Sequence, residues 1–233
     1  MFVKSVEAPP RGPRPQLPPE LAARVRPVAS AASRLLPLPP ELASLFPDRA
    51  LRRGSATVVS GLRGGGVTTL ALSLLGAASG AGHWSAAVGI ADPGVVSIAE
   101  LGIDLRRFAM VPCPRGEWAE AAAVLLDGLD AVVVRPFGRA ALTPARHLVT
   151  RARDRNAALV VVVDHQRHWP EVPDVALQVL SSTWEGIGCG HGYLCERRAE
   201  VEVAGRRHRG APERHRLCIP AAMTPSADRD GGG

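Results

Sequence analysis

From residue 55 onward, short apolar runs alternate with stretches of helical period. SATVVSG (55–61) reads as a strand, and Thr68 to Ser79 repeats its apolar positions at the spacing of a helix. WSAAVGIAD (84–92) is the next strand, followed by a short helix to Leu101 and the strand FAMVPC (108–113). The helix GEWAEAAAVLLDGL (116–129) precedes the strand DAVVVRPF (130–137), and the helix TPARHLVTRARDR (143–155) precedes the strand AALVVVVDH (157–165). Strands that are apolar along their whole length need cover on both faces. The pattern therefore predicts an α/β fold, a mostly parallel sheet flanked by helices.

After residue 173 the character becomes strand-like throughout, in DVALQVLSSTWE, GYLCERR, AEVEVAG and HRLCIP. Alternation puts Ala199, Val201 and Val203 on one face and Glu200 and Glu202 on the other, as expected for C-terminal antiparallel strands that extend the parallel sheet. Ahead of the alternating region, residues 20–36 carry Leu21, Val25, Val28, Ala32 and Leu35 at roughly helical spacing, broken by Pro27. The expected organisation is a flexible tail over 1–19, a helical segment over 20–50, one domain over 51–220 and a second tail over 221–233. The tails are rich in Pro, Gly, Ser and charge, with little to bury.

The chain has 233 residues, enough for one such domain with a well-buried core. No apolar run reaches the roughly 18–20 residues of a membrane span, and MFVKSVEAPPRGPRPQLPPE lacks the apolar centre of a signal peptide, so a cytoplasmic protein with no membrane contact is expected. The net charge of +6 is compatible with nucleic-acid binding, and equally with a composition rich in Ala, Gly, Pro and Arg. Four cysteines are too sparse for a disulfide framework, and Cys189, His191 and Cys195 in CGHGYLC lack a usual zinc spacing, so no metal site is expected.

The chemistry-bearing motif is GLRGGGVTT, residues 61–69. A phosphate-binding loop of the form G-x-x-x-x-G-K-[ST] needs Gly61 and Gly66 for its turn, a lysine for the β- and γ-phosphates and the Thr68 hydroxyl for Mg²⁺. Here Val67 holds the lysine position, and the chain's single lysine is Lys4. Arg63 within the loop and Arg135 across from it are the candidate substitute cations, although a planar guanidinium does not reproduce a compact ammonium. The alternative reading is a retained strand-to-helix turn in which Thr68 and Thr69 are simply the first helical turn. No serine, histidine and aspartate stand in a recognised nucleophile arrangement, and no paired carboxylates share a face.

The order of GLRGGGVTTLAL, LGIDLRRF, LDAVVVRPFGRAALTP and RRAEVEVAGRR resembles the RecA core from about residue 50 to 219. It is more closely similar to the ImuA-prime family, RecA-like accessory proteins of actinobacterial damage-induced mutagenesis. The resemblance implies a role in the SOS response and DNA repair by error-prone translesion synthesis. The implied partners are the polymerase-like ImuB and, through it, an error-prone replicative-type polymerase and the sliding clamp.

The departures are informative. The strand where RecA carries a Mg²⁺-holding acidic residue ends in Arg135. The second strand ends in a shortened IADPG with Asp92 alone near the glutamate position. The DNA-contacting loops are trimmed, with His165 at the place of the nucleotide-sensing glutamine. The expectation is an adaptor that is not an enzyme and has no cofactor, its nucleotide site vestigial and residual ATP binding left open.

Arg151, Arg153 and Arg155, and then Arg206, Arg207, His208, Arg209, Arg214, His215 and Arg216, form the densest basic stretches. They read as solvated surface, as DNA-phosphate contacts or as a docking face for an acidic partner. Of these, Arg206, Arg207, Arg209, Arg214 and Arg216 are the interaction candidates, with residues 20–50 as a second candidate interface and self-association open. ELASLF (41–46) loosely resembles the short peptides that dock on sliding clamps but lacks their leading glutamine, and it is expected to act as a hydrophobic staple between the N-terminal helix and the domain. The four tryptophans are expected to pack in the core or hairpins, with Trp169 the one most open to exposure. Two other functions remain: a nucleotide-responsive DNA-binding RecA paralogue using Arg63 or Arg135, and a SulA-like cell-division inhibitor.

Overall fold

The computed structural model describes residues 34–62, 64–90, 94–112, 117–164, 169–185, 196–208 and 210–219. Its centre is an eight-stranded sheet. In chain order the elements are β1 (Leu35–Leu36), α1 (Pro40–Ala43), β2 (Leu51–Arg52), β3 (Ala56–Gly61), α2 (Val67–Gly80), β4 (Ser85–Val88), α3 (Val95–Glu100) and β5 (Phe108–Val111). They continue as α4 (Trp118–Leu126), β6 (Ala131–Val134), α5 (Leu142–Arg155), β7 (Ala158–Asp164), β8 (Val175–Glu185), β9 (Glu196–Ala204) and β10 (Glu213–Ile219).

The large sheet runs β10-β9-β8-β3-β7-β6-β4-β5, and β1 pairs with β2 separately. From β5 to β8 every pair is parallel; β9 and β10 add on antiparallel. This is an α/β fold consistent with a RecA-like core.

The period-two geometry of the strands separates two cores. Val59, Val160 and Val162 face one side, where they meet Leu70, Leu74 and Ile98 of α2 and α3. Val58, Val161 and Val163 face the other, against Trp118, Leu126 and Leu148 of α4 and α5. Because both faces of β7 are covered, its residues 158–163 are buried without a break, as the run of valines requires. Asn156, left-handed at φ 54°, ends α5, with the Ala157 N–H returning to the Ala152 carbonyl at 2.9 Å.

The helix expected over 20–36 lies mostly outside the described residues. Where it is described, it is corrected: Leu35–Leu36 is a strand, held by Leu36 opposite Leu51 and Leu35 opposite Arg52. A partner fifteen residues away in sequence overrides the local helical spacing. Leu42, Leu45 and Phe46 of ELASLF are buried in the cluster on the α2 side of the sheet, while the N-terminal helix they are expected to staple lies mostly outside the described residues. Ala199, Val201 and Val203 are buried as their alternation predicts. GYLCERR and AEVEVAG are not two pieces where they are described, since Glu196–Ala204 is one strand.

Two tryptophan expectations also need correction. Trp84 is 51% exposed, standing just ahead of β4 with its ring outside the core, and Trp169 is only 4% exposed, filling the face covered by α4 and α5. Among the described residues, no helix is long and apolar enough to cross a membrane.

Candidate functional site

The loop after β3 closes at the carboxyl end of the parallel strands, where ligands bind in open α/β sheets. Gly66 caps α2 in a left-handed conformation, φ 85°, and its carbonyl accepts from the Leu70 N–H at 2.8 Å. A side chain at Gly66 would be strained by that φ, and its Cβ would meet the Arg197 Nη1 at 2.6 Å. Val67 opens the helix with its side chain turned into the core, 5% exposed among the residues of α2 and β3. A side chain pointing inward from this position presents no cation to a phosphate. Arg63 lies outside the described residues.

Arg135 follows β6, and its backbone N–H is fixed to the Val88 carbonyl at 2.9 Å. Its guanidinium crosses the end of β7: Nη2 donates to Thr68 Oγ1 at 2.8 Å, and Nη1 stands 3.7 Å from Asp164 Oδ1. Asp164 closes β7 and is in register with Gly61. Thr68, Arg135 and Asp164 are thus brought together at the ends of the adjacent strands β3, β6 and β7 and the helix after β3, with a permanent cation between the hydroxyl and the carboxylate. These residues do not fit a divalent metal, which needs oxygen ligands around it, because the guanidinium spans the two oxygens that would serve. Among the described residues, no cluster of three or more His, Cys, Asp or Glu side chains is arranged to hold a metal ion. Thr69 has a helical role, its carbonyl accepting from Ser73 Oγ at 2.7 Å.

A further cation approaches from the opposite side. Arg197 of β9 stacks on Trp184 of β8, 4.1 Å from the ring centroid, and reaches over Gly66 beside Ile219. Burial lowers its pKa from the ordinary arginine value, and its Nε is buried without a hydrogen-bond partner among the described residues. The cleft bounded by Leu62, Gly64, Gly65 and Val179 to Ser182 holds about 230 Å³. Small-molecule pockets span roughly 300–1,000 Å³.

Sequence reasoning found Val67, Thr68 and Arg135 but missed Asp164 and Arg197. Asp164 was legible as the acidic end of an otherwise apolar strand. The inward parity of Arg197 was legible from its alternation with Ala199, Val201 and Val203, but its place over Gly66 was not. Asp92, His165, Cys189, His191 and Cys195 lie outside the described residues.

The basic candidates disperse. Arg206 pairs with Asp174 at 2.8 Å, Arg207 with Asp48 at 3.0 Å and Arg214 with Glu202 at 3.5 Å; Arg216 is exposed on β10, and Arg209 is outside the described residues. Arg151 and Arg155 both pair with Asp127, and the hydrogen bond from Arg151 is the main cause that holds that carboxyl below its ordinary pKa.

A family model described as the MT3502 N-terminal domain matches residues 44–171. The matched span carries the loop, Arg135 and Asp164, and ends before Trp184 and Arg197. Among curated proteins, the chain is similar to an uncharacterised Mycobacterium tuberculosis protein, Rv3395c, with 39% identity over 113 residues. That overlap covers 48% of this chain and 53% of the relative, so the chain spans about half the length of the curated relative it matches.

Proposed function

We propose that this chain, which belongs to the MT3502 N-terminal domain family, is a non-catalytic RecA-like adaptor of DNA-damage-induced, error-prone translesion synthesis. The observation that supports the non-catalytic part is the guanidinium of Arg135 between Thr68 and Asp164. With Val67 buried, the loop offers neither the lysine nor the metal seat on which phosphoryl transfer depends. Its glycines then serve as a tight strand-to-helix turn.

The partners follow from the resemblance to the ImuA-prime family: ImuB directly, with the mutagenic polymerase and the sliding clamp reached through it. In this reading the sheet holds a docking surface in fixed geometry inside the cytoplasm, and assembly depends on buried contacts rather than on ATP turnover. The test is recovery of ImuB and polymerase with the tagged chain from DNA-damaged cells, repeated with residues 1–50 or 205–233 deleted. Loss of recovery in either deletion supports the reading and locates the interface. Failure of the intact chain to recover either partner contradicts it.

One observation favours a second reading, that of a nucleotide-responsive DNA binder. Arg197 is a partly buried cation set over Gly66, a position from which it would meet a phosphate. Saturable binding of an ATP analogue that disappears in Gly66→Trp would support that reading, and no binding at millimolar nucleotide would remove it.

A further inference from the structure

The two edges of the large sheet differ in chemistry. On the β10 edge, Glu213, Arg214 and Arg216 are exposed, the charged decoration that keeps an edge from pairing with another chain. The β5 edge reads Phe-Ala-Met-Val and carries neither charge nor proline within the strand. Met110 is 43% exposed there, and α3 leaves Val95 and Val96 exposed while Ile98 anchors it on the sheet face toward which Phe108 packs.

The hydrogen-bond directions of β5 are determined. Among the described residues β5 pairs in the sheet with β4 alone, and the Val111 carbonyl accepts from the Gly89 N–H at 3.0 Å, so Val111 and Ala109 aim their backbone groups inward. By alternation, the N–H and C=O groups of Phe108 and Met110 aim outward.

We infer that β5 is a homotypic interface, pairing antiparallel with β5 of a second copy of this chain. A two-fold axis perpendicular to the sheet keeps each face on its own side, so opposed residues must share parity. The register centred on Ala109 satisfies this. It sets Phe108 opposite the second copy's Met110, and Met110 opposite its Phe108, as two hydrogen-bonded pairs that use all the outward groups of both residues. Between them, Ala109 faces Ala109 as a non-hydrogen-bonded pair, where the backbones come closest and small side chains fit. Each Phe108 ring meets a thioether on its own face, a favourable contact. Arg106 falls opposite Pro112 and Arg107 opposite Val111, so no like charges meet.

The neighbouring register, centred on Met110, sets Phe108 opposite Pro112, which has no N–H to give. The corresponding register of β10, centred on Arg216, would set Arg216 against Arg216, and like charges directly opposed are destabilising. The favoured register of β5 thus opposes no like charges, whereas the β10 register centred on Arg216 does. The interface is independent of the adaptor reading and of any nucleotide.

Sedimentation equilibrium of the full chain tests it. The expected result is a concentration-dependent dimer that Met110→Lys weakens at least about tenfold, by setting a charge opposite Phe108, and that Arg216→Ala leaves unchanged. Met110→Pro removes an outward donor while sparing the bonds to β4, and also shifts the chain toward monomer. Ala109→Cys, oxidised, gives a disulfide between the two 109 positions, identified by the mass of the linked peptide. A chain that stays monomeric at every concentration overturns the proposal. So does a dimer unaffected by Met110→Lys in a variant whose circular dichroism matches wild type.

Discussion

Arg135 Nη2 donates to Thr68 Oγ1 at 2.8 Å, so that a side chain following β6 is tied to the first turn of the helix after β3. The bond passes over the end of β7, where Asp164 lies 3.7 Å from the same guanidinium. Two strands of the sheet and the glycine loop are thereby joined through one cation. A hydrogen bond to a charged group contributes about 1.5–3 kcal/mol, more than a neutral one. The contact therefore has structural value whatever else the loop does.

Restoring the lysine alone is expected to fail. In Val67→Lys the ammonium replaces an apolar side chain in the core, and Arg135 still spans Thr68 and Asp164. Stability falls by roughly 1–3 kcal/mol, the usual mutational cost of a buried polar group. No ATP hydrolysis appears. Urea unfolding and a phosphate-release assay check the two halves.

Gly76 lies inside α2, where glycine is normally about 1 kcal/mol worse than alanine. Gly76→Ala should nevertheless destabilise, because a Cβ there would stand 2.2 Å from the Leu101 carbonyl oxygen, a backbone atom that cannot swing aside. The expected loss is about 1–3 kcal/mol, the cost of an overpacked contact, measured as a lower urea midpoint at unchanged slope. Gly80→Ala in the same helix meets nothing within 4 Å and serves as the control.

Asp130 gives the fold a dependence on acid. Burial alone would raise its pKa, but the Trp84 N–H, donating at 2.8 Å, and the Arg53 guanidinium, at 2.6 Å, together hold it below the ordinary aspartate value. A carboxyl depressed in the folded state stabilises fully above its unfolded pKa of about 3.9, and that contribution is lost as pH falls through the folded value. Asp130→Asn should therefore be less stable than wild type near neutrality, with the gap closing as pH drops below about 3.9 and through the lowered folded value. Urea unfolding across that range checks the direction; a constant gap would remove Asp130 as the cause.

How far the sequence specifies the molecule depends on the kind of contact. The valine run of β7 and the alternation at Ala199 to Val203 are local patterns, and both translate directly into burial. Val67 and Arg135 were legible because each breaks a motif at a defined place. The strand at Leu35–Leu36 was not legible, because its cause is a partner at Leu51–Arg52 rather than its own spacing. Arg197 was missed for a related reason: its place over Gly66 exists only once β8 and β9 pair and bring Trp184 beneath it. Basic density does not show pairing either, since Arg206 and Arg207 meet Asp174 and Asp48, carboxylates that no window around them contains.

The central claim is that the chain assembles with its partner through a surface, without nucleotide. The most direct measurement is capture of purified ImuB by the purified full chain, done once after exhaustive removal of nucleotide and once with millimolar ATP and Mg²⁺. The account predicts a complex of equal yield in both. No complex, or a complex that forms only when ATP is present, would contradict it.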